Sequence, residues 1–135
     1  MKQCTVTAPS NISLGSMGAT DLITTTTNAT QTFSVTCSKT TPYTIGFAST
    51  NDLSAGSASH QMKGTGANTD MVKYNLFDVT SGATNTTALS AISSLISDTG
   101  TGALQTKSVK AQVVNYTTPV TADVYTDTVT MSVAY

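Results

Sequence analysis

The residues with chemistry to offer are few. His60 is the sole histidine of the chain. It sits in Ser57-Ala58-Ser59-His60-Gln61, among turn residues, where an imidazole reads as a solvated side chain rather than a general base. Serine is abundant, so a Ser–His–Asp grouping can be drawn on paper. That triad is defined by geometry, however, and no nucleophile motif surrounds any serine. Aspartates are scattered, with no pair set apart for glycoside chemistry. Gly64-Thr65-Gly66 lacks the phosphate-loop lysine and its strand-to-helix context. No segment has the spacing of a calcium loop. Cys4 and Cys37 do not form a CxxC pair, and one histidine cannot complete a zinc set with them. The expectation is a protein that is no enzyme and uses no cofactor and no metal.

The two cysteines lie in strand-like runs, Cys4-Thr5-Val6-Thr7 and Phe33-Ser34-Val35-Thr36-Cys37. Adjacent strands would bring them within bonding range, and a bridge there would stabilise by about 3.5–4 kcal/mol through loop entropy. Two buried free thiols are the other reading. Asp127 interrupts the inward face of the last strand in Tyr125-Thr126-Asp127-Thr128-Val129. It is either a binding carboxylate or one that accepts backbone N–H bonds at the strand entrance, and the second is the better expectation. Four Asn-x-Ser/Thr sequons, at Asn11, Asn28, Asn85 and Asn115, arise by chance in so Thr-rich a chain.

The elements that would carry these residues are strands. Apolar and polar residues alternate with period two at Phe33/Val35/Cys37, Tyr43/Ile45/Phe47, Val72/Tyr74/Leu76, Val109/Ala111/Val113 and Val129/Met131/Val133/Tyr135. One apolar and one polar face per strand suits antiparallel sheets with one wet side. Turn signals separate the runs: Ala8-Pro9-Ser10-Asn11, Thr41-Pro42, Gly64-Thr65-Gly66, Ser81-Gly82, Gly100-Thr101-Gly102 and Thr118-Pro119. Short strands with frequent turns suggest an all-β sandwich. One segment differs. Leu89, Ile92 and Ile96 fall at i, i+3 and i+7, which predicts either a short helix or an apolar loop over one end of the sandwich.

With 135 residues the chain has room for one domain, residues 1–135, and too few for two. Hydrophobic residues make up 39%, enough for a core. Charged residues are only 10%, Arg and Glu are absent, and the net charge is −1. Six lysines against seven aspartates form no basic stripe, which excludes nucleic acid as a partner and any polybasic lipid patch. Thr and Ser dominate a surface that avoids charge, as in many secreted proteins. No apolar run approaches the ~18 residues of a membrane span, so no membrane insertion is expected. No apolar stretch follows Met1-Lys2-Gln3 to act as a signal peptide.

Taken in order, these pieces resemble the spore coat U domain, the fold of subunits in archaic (Csu-type) chaperone–usher pili. The resemblance spans essentially the whole chain. It begins with Cys4-Thr5-Val6, Ser13-Leu14-Gly15 and Phe33-Ser34-Val35-Thr36-Cys37. It continues through Pro42-Tyr43-Thr44-Ile45 and Val72-Lys73-Tyr74-Asn75-Leu76-Phe77-Asp78, and closes with Val124 to Tyr135. The usual Gly before the final Tyr-x-Asp-Thr is Val124 here. The resemblance implies an immunoglobulin-like antiparallel β-sandwich with a Cys4–Cys37 bridge. It also implies export through the periplasm to an extracellular pilus, with a periplasmic chaperone, an outer-membrane usher and other pilus subunits as partners. Subunits of this family lack one strand, which the chaperone and then the next subunit's N-terminal segment supply.

Only Met1, Lys2 and Gln3 precede Cys4, too few to serve as such a donor. The favoured expectation is therefore the N-terminal, receptor-facing domain of a two-domain tip adhesin, which acts in attachment and biofilm formation. A shaft pilin whose donor segment has been removed is the alternative, and a secreted sugar-binding domain with Tyr116 as its aromatic platform is another. In the tip reading the loop before the last strand, with Tyr116, Pro119 and Val120, faces an abiotic or host surface. The 62–71 loop lies at the same end. Leu89, Ile92, Leu95 and Ile96 are apolar enough to join them as surface-binding loops or, equally, to be core lids.

Overall fold

The computed structural model describes residues 1–16, 28–114 and 119–135. Among the described residues nine strands form: β1 (Cys4–Thr7), β2 (Asn28–Cys37), β3 (Pro42–Ser49), β4 (His60–Gly64), β5 (Met71–Asp78), β6 (Ile96–Thr99), β7 (Leu104–Val113), β8 (Tyr125–Thr126) and β9 (Val129–Ala134). One 3-10 turn, Thr80–Gly82, follows β5. Every run expected from period-two alternation lies in a strand, except that Tyr135 falls just past β9 and is exposed. The segment with Leu89, Ile92 and Ile96 is not a helix: it is a loop that leads into β6.

The strands make two antiparallel sheets, ordered β1-β2-β7-β5-β4-β8 and β6-β3-β9. Their inner faces close on one core of Phe33, Val35, Cys37, Tyr43, Ile45, Phe47, Tyr74, Leu76, Leu89, Ile96, Val109 and Ala111. Val35 and Ile45 are wholly buried, and each contributes about 1.5–3 kcal/mol through area removed from water. Phe33 and Phe47 meet edge to face across the sheets, with ring centroids 6.4 Å apart. The fold is thus the expected all-β sandwich. Its one disulfide joins Cys4 to Cys37, which face each other directly in the β1–β2 register.

Both termini lie at one end. Gln3 bonds Ser38 just beyond the disulfide, and Ala134 stands opposite Thr44 near the start of β3. Gly100 permits this end to close, because a β-carbon there would overlap the Cys37–Ser38 backbone. β3 runs away from that end to Ser49, opposite Val129. The 65–70 loop and the 119–124 segment sit at the far end, bound together by Thr121 and Asp70.

Candidate functional site

Two surfaces could do work: the seam between the sheet edges, and the loops at and near the far end. The seam is bordered by β1, an edge of the larger sheet, and β9, which among the described residues pairs only with β3. Along β9 the residues Val129, Met131 and Val133 alternate inward but remain half-buried. An edge strand with a half-buried apolar row can accept another strand. Ile12 and Leu14 pack on the main core, and Leu14 also touches the smaller cluster of Val72 and Val113.

At the far end two carboxylates organise the loops. The Oδ2 atom of Asp70 accepts from the Thr121 hydroxyl (2.5 Å) and N–H (2.8 Å), and these bonds, the hydroxyl first, hold its carboxyl below the usual range. Asp123 accepts from the N–H groups of Gly66 (2.8 Å) and Val124 (2.7 Å), the Thr65 hydroxyl (3.3 Å) and the Asn68 amide. Its carboxyl is lowered too, chiefly by the Gly66 N–H. Pro119 is exposed, whereas Val120 is half-buried and packs with Met62 and Tyr125 on Val72 and Val113. Tyr116 lies outside the described residues.

Of the four apolar positions expected as surface-binding loops or core lids, Leu89 and Ile96 are core lids. Leu89 is 4% exposed and Ile96 3%, so neither can meet an external surface. The backbone explains why. Leu89 N–H donates to Leu76 O (2.8 Å), and Ile96 opens β6 opposite Ile45, so both side chains point into the core. Leu95 is half-buried and would contact any side chain added at Gly46. Ile92 is 70% exposed, raised on a turn and resting on Gly56. The turn is built by buried Ser90, whose Oγ accepts the N–H groups of Ile92 (3.3 Å), Ser93 (3.0 Å) and Ser94 (3.1 Å). Leu53, in the 50–59 loop that carries Gly56, is 58% exposed. Sequence reading passed over it because it stands alone among turn residues. Val124, the departure from the family pattern, is also exposed.

His60 is not the solvated loop side chain expected. It opens β4 and is wholly buried. Its Nδ1 faces Asp52 Oδ1 at 2.6 Å and its Nε2 faces Leu89 O at 3.0 Å. Beside it lies Tyr74, with ring centroids 5.5 Å apart. Tyr74 OH donates to Asp127 Oδ2 (2.5 Å), and burial, followed by that carboxylate, pushes the phenol far above its ordinary pKa. Asp127 also accepts from Thr128 N–H (2.8 Å), the Asn51 amide (3.2 Å) and the Ser49 hydroxyl. It is the structural acceptor expected, with more partners than the backbone alone.

At the opposite end Lys107 pairs with Asp98 and lies over the Tyr43 ring, 5.9 Å from its centroid. The lysine contact holds Asp98 below the usual carboxyl range. Burial pulls the Lys107 ammonium down, but Asp98 more than offsets it. A cleft of about 400 Å³ beside β6 is lined by Asp78, Asn85, serines and the apolar side of Leu89, Leu95 and Ile96. Among the described residues no three His, Cys, Asp or Glu side chains gather to hold a metal. None of their helices is long and apolar enough to cross a membrane.

A two-sheet sandwich, stapled at one end and carrying apolar side chains on hydrogen-bonded loops, describes a class of recognition and assembly domains. The family is narrower. The model of the Spore Coat Protein U domain matches residues 1–132, and the chain belongs to that family. No curated protein matches it. Among solved structures it is similar to a chain in the crystal structure of the CsuC–CsuE chaperone–tip adhesion subunit pre-assembly complex from archaic chaperone-usher Csu pili of Acinetobacter baumannii. The TM-score is 0.63 at 24% identity, and the match covers 100% of this chain and 40% of that one. At this identity the likeness is one of fold, and the chain spans well under half the length of that neighbour.

Proposed function

We propose that this domain is part of a subunit of a chaperone–usher pilus, exported through the periplasm and displayed outside the cell. Its role is structural and adhesive rather than catalytic. Its partners are a periplasmic chaperone, the outer-membrane usher and neighbouring subunits. Family membership supports this reading, and so does the fold shared with a chain of a chaperone–tip adhesion subunit complex.

Within that class we assign the domain to the pilus tip. The observation that carries the assignment is Ile92, 70% exposed on a turn that Ser90 fixes with three backbone bonds. Exposed Leu53 and Pro119 extend the apolar loop surface, and we include Tyr116 and half-buried Val120 in the proposed contact. Such side chains bind an abiotic or host surface by removing apolar area from water, at roughly 25 cal/mol per Å². Many fibres supply the avidity that supports biofilm formation. The test is retention of the purified domain on hydrophobic and hydrophilic beads, with Ile92→Ser/Leu53→Ser beside the parent chain. Retention on hydrophobic beads should fall severalfold with the fold intact; unchanged retention overturns the adhesive assignment.

The half-buried row on β9 favours a second reading, a shaft subunit that accepts a donor strand along that edge. The two readings differ in whether the seam is already filled.

A further inference from the structure

His60 presents a hydrogen-bond problem with few solutions. A neutral imidazole has one N–H and one lone pair, whereas both His60 nitrogens face acceptors. Nδ1 faces a carboxylate oxygen of Asp52, and Nε2 faces the Leu89 carbonyl. The Leu89 peptide N–H is already committed to Leu76 O, so Leu89 offers only its oxygen. A ring with one hydrogen would therefore leave a lone pair pressed against another lone pair, on a side chain that is wholly buried. Putting hydrogens on both nitrogens satisfies both contacts.

Asp52, 8% exposed at its side chain, also accepts the Ser49 N–H (3.1 Å) through Oδ2, which leaves Oδ1 to face the ring. The Asp127 carboxylate lies across Tyr74 and accepts from Tyr74, Ser49, Asn51 and Thr128. The Tyr74 ring stands beside the imidazole, its plane tilted by 39° to it. The groups around His60 are thus Asp52 from the 50–59 loop, Tyr74 from β5 with Asp127 behind it, and the Leu89 carbonyl. Lys63 of β4 is exposed and points away.

We propose that His60 is an imidazolium cation that clamps the 50–59 and 83–95 loops to β4, making the placement of exposed Leu53 and Ile92 dependent on pH. Asp52 lies in the loop that leads into β4, the Leu89 carbonyl lies far along the chain, and each loop carries one of the exposed residues. The clamp holds at lower pH and releases as pH rises far enough to take the ring proton. It does not rest on the adhesive assignment, because its test reads the ring and the loops directly.

The test uses the whole chain with 15N-labelled histidine. His60 is the sole histidine, so the ring spectrum has one pair of nitrogen signals. At neutral pH both should show a directly bonded hydrogen. One bare ring nitrogen overturns the proposal, including the case in which Asp52 itself carries the proton. In Asp52→Asn the ring should lose one hydrogen at the same pH while core amides such as Val35 and Ile45 stay protected. A ring that keeps both hydrogens in that variant overturns the assignment of Asp52 as counter-ion. Raising the pH of the parent chain should lower protection of the Ser90 and Phe47 amides on the order of tenfold, after correction for intrinsic exchange. Protection that is unchanged once the ring has lost its proton overturns the clamp.

Discussion

The seam and the loops expose apolar residues in opposite ways. On β9, Val129, Met131 and Val133 are half-buried in a strand whose backbone edge is unpaired among the described residues. At Ile92 the backbone is committed by Ser90, while the side chains of Ile92 and Leu53 stand out. A strand edge with buried side chains invites another strand, because main-chain bonds are what it lacks. A fixed loop with projecting side chains invites a surface, because apolar area is what it offers. The seam therefore speaks to assembly and the loops to attachment. Ile12 and Leu14 cover part of the core from the chain itself.

The comparison can be broken at several points, beginning with the largest effect. Reducing the Cys4–Cys37 bridge, or replacing both cysteines by serine, should cost about 2–5 kcal/mol in urea unfolding, since β1 loses its tie to β2. Leu14→Ala should cost about 2 kcal/mol, because it empties a site shared by both apolar clusters. That variant should also gain a response to a strand peptide that the parent lacks, as read by a melt with and without the peptide. Tyr74→Phe should cost about 1–3 kcal/mol by taking a donor from Asp127 in a buried network. Near the lower end is acid. Asp70, Asp98 and Asp123 have carboxyls held below their ordinary range, so the unfolded chain binds more protons in the acid region. Their contribution is complete above about pH 4 and fades as pH falls through the folded values, which a series of acid melts would record as a modest loss. Ile92→Ser should change stability by less than about 0.5 kcal/mol, which separates its effect on bead retention from any effect on folding.

The strands of the core were legible because their side chains alternate and their partners are other strands. Val35, Ile45 and Val109 announce themselves in that pattern, and the cysteines followed from the strands that hold them. β4 and β6 were not legible. β4 opens with His60-Gln61, whose burial depends on Asp52 and Asn51, acceptors supplied by another loop. A polar residue buried by tertiary partners leaves no mark in local pattern. Leu89 and Ile96 have helical spacing, yet Ser90 competes for the backbone N–H groups and makes a turn instead. Both ends of that turn then dive into the core and leave Ile92 outside. The exposure of Leu53 and the half-burial of Leu95 are likewise products of packing between loops.

The most direct measurement is a thermal melt of the oxidised chain, with and without a peptide corresponding to a family donor strand. For a domain at the pilus tip, the account expects a sharp transition in a monomer that the peptide does not move. A low or aggregating transition that the peptide raises would mean an acceptor groove along β9, and would contradict the assignment to the pilus tip.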